Sequence, residues 1–339
     1  MRPLKTAVIG VGHFGQYHAE KFARVPFSEL VAVADINAGR AAEIGARHRV
    51  SAVVDYRELL GTVEAVSIAT PPSSHYDIAQ AFLEHGAHVL VEKPITDDLD
   101  KAGRLIRLAR DRGRVLQVGH LERFSPAGKA LANLVSEPLY VEASRIGPFS
   151  PRATEVNAVL DLMIHDLDLI LGFVRSPIEW VHAVGAPILS PEEDIASTRI
   201  QFASGCVANV TASRVSMRSE RRMRIFQRDS YTTIDFLNKK IAVFRKRSGA
   251  GAVGDLSDVT IEQKSYADVD TLEQEIAAFL NSAATGQPPL VSGQDGARAL
   301  EAALMVNRSL REYWRRIQTP ERRPAGDGNG AAHAVPLRP

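Results

Sequence analysis

The chain lacks the features that mark several classes of protein. Its 339 residues include one cysteine, Cys206, so an internal disulfide and a CxxC zinc site are both excluded, as fits a reducing compartment. The expected location is the cytoplasm. No apolar run approaches the roughly eighteen residues of a membrane helix, and the opening MRPLKTAVIGVGHFG puts glycines and polar residues where a signal peptide needs an unbroken apolar core. Charge of one sign is also missing. Lys+Arg 41 against Asp+Glu 40 leaves +1, so no global field exists to hold nucleic acid or an anionic membrane. What is present is 45% apolar against 24% charged residues, the balance of a chain that buries real cores, over a length of about two domains.

The first 120 residues repeat a short apolar run, a turn and an amphipathic stretch. Strands are predicted at 5–9, 30–34, 65–69, 88–92 and 115–118, with helices at 13–24, 38–47, 74–85 and 99–112. These strands are rich in Val, Ile and Ala with little alternation, so they read as central strands of a parallel sheet covered on both faces, the doubly wound α/β arrangement. Beyond Gly119 a long helix is predicted at 156–173, followed by strands at 181–186, 195–202, 206–213, 222–228, 231–236 and 240–245. Strand after strand without intervening helices implies a large, mostly antiparallel sheet. Helices at 271–285 and 295–316 flank the breaker stretch GQPPLVSG. The segment 248–258 reads as a mobile hairpin tip, and the residues from 319 onward as a tail too poor in large apolar residues to pack.

Gly10, Gly12 and Gly15 form GxGxxG directly after the first strand and before a helix, the context of a dinucleotide-binding turn. The first glycine makes the turn, the second lets pyrophosphate approach the backbone, and the third lets helix pack on strand. Asp35 closes the second strand about 20 residues later, where a carboxylate accepts ribose hydroxyls and repels a 2′-phosphate. NAD is therefore expected rather than NADP. Arg40, close by in sequence, is expected to face solvent. The expected organisation is a NAD-binding domain at 1–120, a substrate-binding and oligomerisation domain at 121–318 whose last helix packs back on the first, and the tail at 319–339.

At Ala69-Thr70-Pro71-Pro72-Ser73-Ser74-His75, Val91-Glu92-Lys93-Pro94 and Asp161-Leu162-Met163-Ile164-His165-Asp166, and again at EIAAFLNSAATGQPPLVSGQDGARAL, the chain resembles the glucose–fructose oxidoreductase, inositol dehydrogenase and rhizopine-catabolism (Gfo/Idh/MocA) family. The resemblance spans roughly 4 to 315. It implies a Rossmann domain, a second α/β domain whose open sheet makes oligomer contacts (dimer or tetramer), and a cofactor site that includes His13, Phe14, Thr70, Pro71, His75, Glu92 and Lys93 beside the glycines and Asp35. It also implies that Lys93, Asp161 and His165 act at the substrate. The family's usual glycine between the last two is absent here.

Elementary chemistry supports those roles. Asp161 and His165, four apart, share a helix face; histidine takes a proton near neutral pH; and Lys93 stabilises a developing alkoxide. A carboxylate beside the histidine would hold or charge the ring. The competing readings are a solvated lysine and a surface Asp/His pair. A metal set drawn from His120, Asp161, His165, Asp166 and Asp168 is the rival chemistry; a hydride mechanism needs no metal, and none is expected. His85 and His88 read as structural.

GHLERFSPA (119–127) and DLMIHDLDLIL (161–171) further resemble the subset of the family that oxidises nucleotide-linked amino sugars at C3, the ketone then passing to an aminotransferase for lipid A or surface glycans. A UDP-N-acetylhexosamine is the implied substrate, with His120 and Arg123 beside it. Arg123 reads equally as an anion ligand or an interdomain ion-pair residue. The cluster Arg214, Arg218, Arg221, Arg222 and Arg224 reads either as help for a diphosphate or as a solvated strand or oligomer edge. The alternatives to a nucleotide-sugar dehydrogenase are a dehydrogenase of a free sugar or polyol and a non-catalytic NAD-binding protein.

Overall fold

The computed structural model describes residues 2–150, 156–247 and 258–318. The hairpin tip expected at 248–258, save Asp258, and the tail lie outside the described residues.

The first sheet contains β1 (Leu4–Ile9), β2 (Ser28–Ala34), β3 (Ser51–Val53), β4 (Ala65–Ile68), β5 (His88–Glu92) and β6 (Leu116–Gly119), all parallel, in the order β3-β2-β1-β4-β5-β6. Its central strands are buried on both faces: Ala7, Val8, Val66, Ile68, Val89 and Leu90 have no exposure, which explains why the sequence shows unbroken apolar runs there. The helices between them are α1 (Gly15–Phe22), α2 (Ala38–His48), α3 (Pro72–Glu84) and α4 (Leu99–Asp111). Asn37 caps α2 by accepting the Arg40 N–H at 3.1 Å, and Asp98 caps α4 by accepting from Asp100 and Lys101. Each side-chain oxygen satisfies a first-turn donor that the helix itself leaves open.

After α5 (Pro126–Leu134), the second sheet has eight strands in the order β14-β13-β12-β11-β7-β10-β9-β8. They are β7 (Tyr140–Ile146), β8 (Ile178–Ala186), β9 (Ile195–Phe202), β10 (Val207–Ser213), β11 (Glu220–Phe226), β12 (Ser230–Asp235), β13 (Lys240–Lys246) and β14 (Val259–Ser265). Only the β7–β10 pair is parallel. One face packs on α6 (Ile164–Phe173) and α8 (Gly293–Gln318) through Val141, Ala143, Ile200, Val210, Met223 and Ile225. The other face carries the half-buried rings of Tyr140, Phe226, Tyr231 and Phe244, stacked across neighbouring strands with centroids 5.5, 4.8 and 5.4 Å apart.

The helix expected at 156–173 is in two parts. A π-helical turn at Val159–Met163 precedes α6, so the wider winding replaces the regular helix face that Asp161 and His165 were expected to share. Helix α7 (Thr271–Thr285) returns to the first sheet. Its Ile276, Phe279 and Leu280 join Val8, Phe22 and Val33 in one fully buried cluster. Its cap, Asp270, takes Lys21 of α1 at 2.7 Å.

Candidate active site

The glycine turn follows β1, between β2 and β4, where the order of crossovers reverses and a crevice opens beyond the carboxyl ends of the strands. Gly10 has φ +80°, and a Cβ there would lie 2.7 Å from the Thr70 methyl; one on Gly15 would strike the Gly10 carbonyl oxygen at 1.8 Å. A Cβ on Gly12, by contrast, would meet nothing within 4 Å. The turn is closed behind and open in front, the shape that admits a pyrophosphate against backbone at a helix start. Asp35 accepts the Val11 N–H through Oδ2 and the Asn37 N–H through Oδ1, both at 2.9 Å, so it fixes the turn while lining a groove of about 510 Å³ with Gly10, Gly12, Thr70 and Pro71. These residues fit an adenine dinucleotide with free ribose hydroxyls. His13 and Phe14 lead into α1, exposed, with the Phe14 ring 5.3 Å from that of His18.

Two expectations about this loop are corrected. Arg40 does not face solvent: its Nε donates to the Val11 carbonyl at 2.7 Å, and Glu43 pairs with its other end. The Val11 carbonyl draws the guanidinium inward. His75 is 1% exposed and does not line the groove; its Nδ1 and Nε2 lie 2.8 Å from the carbonyls of Pro94 and Thr70. Burial pushes its pKa down, so a neutral ring donates to one of them at a time and braces the two loops that flank the crevice. Glu92 also lies beneath the surface, its Oε1 3.2 Å from His18 Nε2 and its Oε2 accepting the Lys93 N–H.

Lys93 leaves β5 and crosses to the π turn. Its Nζ donates to the Asp161 main-chain carbonyl at 2.9 Å and stands 3.8 Å from the Asp161 carboxylate. Burial pulls its pKa down against the opposing fields of Asp161 and Glu92. His165, one turn further on, has a buried Nδ1 without a partner, leaving Nε2 as its accessible nitrogen. The carboxylate expected to hold this ring is not there, because Asp161 is engaged by Lys93. Instead burial, then the charges of Lys93, Arg145 and Arg221, drive the His165 pKa well below its usual value. The arrangement disfavours charge on the His165 ring beside Lys93.

Behind these groups, Arg145 is buried and holds Asp166 through two hydrogen bonds of 2.9 and 3.0 Å and Glu122 through one of 3.1 Å. Burial opposes charge on Arg145, but Asp166 and Glu122 overcome it and raise its pKa. Arg123 resolves to its ion-pair reading: the guanidinium stands 3.5 Å from both Asp168 of α6 and Asp295 of α8, and two carboxylates leave it little to offer an incoming anion. His120 is 1% exposed and 4.0 Å from Asp168, so it lies inside the wall and not on the substrate side. The alternative metal set is thereby divided, with Asp166 given to Arg145 and Asp168 to Arg123; among the described residues no cluster of three metal-ligating side chains forms. His88 accepts the Val115 N–H at 2.9 Å, and burial pushes its pKa down to about 4, a structural role as expected.

The arginine cluster disperses. Arg214 is buried against Asp194 at 2.7 Å and ties down the 188–190 loop, Arg224 pairs with Glu142 on the uncovered sheet face, and Arg218 is exposed. Arg221 alone sits opposite Arg145 in register, on the helix-covered face, 3.8 Å from Glu122 and half exposed. Sequence reasoning left it undistinguished among five arginines; the signal was its odd-numbered register with Met223 and Ile225, which points it inward.

Fold and site together define an NAD-binding oxidoreductase, and comparison with known proteins specifies the family. Residues 4–120 match the model of the oxidoreductase family with NAD-binding Rossmann fold, and residues 139–229 match the GFO/IDH/MocA C-terminal domain; the chain belongs to this family. It is 41% identical over 314 residues, covering 92% of this chain and 99% of the relative, to UDP-N-acetylglucosamine 3-dehydrogenase of Acidithiobacillus ferrooxidans. A solved structure of that enzyme superposes with a TM-score of 0.85 over 92% of this chain and 99% of that one, at 40% identity. Myo-inositol 2-dehydrogenase of Thermotoga maritima is 25% identical over 91% of this chain and 97% of its own length.

Proposed function

We propose that this protein oxidises the C3 hydroxyl of UDP-N-acetylglucosamine with NAD, giving the 3-keto nucleotide sugar. The observation that carries the reading is the meeting of Lys93, Asp161 and His165 at the carboxyl ends of the parallel strands, in a chain so similar over its whole length to a nucleotide-sugar dehydrogenase. Gly10, Gly12, His13, Phe14, Gly15, Asp35, Thr70 and Pro71 would hold NAD, which when bound supplies the hydride acceptor. The chain's own residues handle the oxygen. Lys93, fixed by the Asp161 carbonyl, points a cation at the hydroxyl and favours the developing alkoxide. His165, kept neutral by its surroundings, accepts the proton through Nε2. Arg221, half exposed near Glu122, would meet the diphosphate in the role that sequence reasoning offered to Arg123. Anchoring by the nucleotide orients one secondary hydroxyl for reaction.

The 3-keto product calls for an aminotransferase as the next enzyme, and a cytoplasmic setting accords with the single, buried Cys206. The uncovered aromatic face of the second sheet is read as the contact between copies of the chain. The experiment for the whole reading is a panel of UDP-sugars and free sugars with NAD, followed by NADH absorbance and product mass. UDP-N-acetylglucosamine is expected to be turned over and free N-acetylglucosamine hardly at all, with Arg221→Ala raising KM for the nucleotide sugar while NAD binding stays put. Strong NADH formation from a free polyol such as inositol, with none from any UDP-sugar, would replace this function by the polyol alternative.

A further inference from the structure

Nearly all the buried side-chain nitrogens and oxygens without a hydrogen-bond partner among the described residues gather in one place, those of His48 and Thr232 excepted. That place is the wall behind Lys93. His120 has neither ring nitrogen satisfied and lies 4.0 Å from Asp168. Glu275, on the inner side of α7, is fully buried with both carboxyl oxygens unpartnered. Gln117 of β6 donates to the Glu275 main-chain carbonyl at 3.2 Å while its own Oε1 stays unpartnered. His18 Nε2 stands 3.2 Å from Glu92, the residue preceding Lys93. On the substrate side the chain of unpartnered atoms ends at His165 Nδ1.

Polar atoms that are both buried and unpaired are costly, and natural interiors satisfy such clusters with ordered water. Charge on His165 is short-lived: Lys93, Arg145, His120 and Arg221 all oppose a proton on that ring, while the carboxyl groups of Glu92, Asp168 and Glu275 cluster about His120. Burial, together with the neighbouring Glu92 and Asp168, raises the Glu275 pKa well above the usual range; Arg123 and Asp295 stand on the far side of Asp168.

We propose that Glu92, His120, Asp168 and Glu275 enclose a water-holding chamber behind Lys93 that takes the Nδ1 proton of His165 as the substrate proton arrives on Nε2 and returns it once product has left, with His120 and Glu275 as the positioning residues for its water. The role in turnover rests on the dehydrogenase function proposed above. In balance, the C3–H bond breaks and its electron pair leaves as hydride to NAD, while the O–H proton moves to His165 Nε2 and the C=O bond forms. The imidazolium then gives its Nδ1 proton to chamber water. Glu275 relays it, accepting a proton on one oxygen as it releases one from the other, and the Asp168 carboxylate, whose pKa burial raises, holds it. When product leaves, Nε2 gives its proton to solvent and the chamber returns one to Nδ1, so each two-electron oxidation expels one proton and needs no further reactant.

The test uses the full-length protein with NAD and the variants Glu275→Gln, Glu275→Asp and His120→Gln. Infrared spectra of the wild type at neutral pH should show a protonated carboxylic acid that Glu275→Gln removes, and a high-resolution crystal structure should show ordered water against His120 and Glu275. Glu275→Gln should keep its melting temperature and NAD affinity yet slow single turnover by up to about 10²-fold, the lower end of what proton transfer contributes. Its solvent deuterium effect should rise, and Glu275→Asp should recover part of the rate. A dry chamber, an ionised Glu275, or a Glu275→Gln enzyme with the wild-type rate, pH profile and isotope effect would overturn the proposal. If the wild type leaves every UDP-sugar untouched, the proposed function fails by itself; the infrared band and the chamber water still decide the chamber, and the kinetic arm moves to whichever alcohol is oxidised.

Discussion

At the scale of single residues, the proposed oxidation depends on which groups carry charge in the cleft. Replacing His165 by Ala, or Lys93 by Met, should lower the chemical step by roughly 10² or more with NAD binding retained; near-normal single-turnover rates would remove that residue from the mechanism. The signs of the shifts define the pH profile. His165 has its pKa pushed down, so the base stays free to a more acidic pH than an ordinary histidine, and the rate is lost only as pH falls through that lowered value. Lys93 is also pushed down, so the alkaline limb falls earlier than for a solvated lysine. A profile with an acid limb at the usual histidine value would contradict the arrangement of cations around His165. That Lys93 meets the 161–165 stretch was legible in the sequence, because the resemblance ties both motifs to one place. The partner of His165 was not, because whether a carboxylate four residues away reaches a ring depends on helix winding, and here a π turn gives Asp161 to Lys93.

At the scale of elements, the parallel strands were readable since full burial writes itself as an uninterrupted apolar run. The strands missed each break that rule for a physical reason. β3 has three residues; β7 places Arg145 at a core position, where Asp166 neutralises it; and β14 is an edge strand with little burial on either side. Helix α7 looks in sequence like part of the second half, yet it closes one face of the first sheet. Phe279→Ala, at a site with no exposure, should therefore cost about 3–5 kcal/mol and weaken NAD binding along with stability. Denaturant titration with and without NAD measures both, and a loss below about 1 kcal/mol would show that α7 is not integral to that core.

At the scale of the whole molecule, two sheets share one crevice, and α8 packs against both halves. Among the described residues, no helix covers one broad face of the second sheet, and the ladder Tyr140, Phe226, Tyr231, Phe244 runs over it. A face that carries such an aromatic ladder among polar side chains is expected to meet a second copy, so light scattering should give a dimer or tetramer, and Tyr231→Glu with Phe226→Glu should shift it toward monomer; a wild-type monomer at working concentration would refute the contact. The central claim is the position oxidised. Excess enzyme with NAD and UDP-N-acetylglucosamine carrying deuterium at C3 makes a single turnover observable even where the equilibrium is unfavourable, and mass spectrometry with NMR of the reduced nicotinamide reads the result directly. The account predicts deuterium on the nicotinamide ring together with a 3-keto sugar; reduced cofactor that carries no deuterium, or no reduction at all, would contradict it.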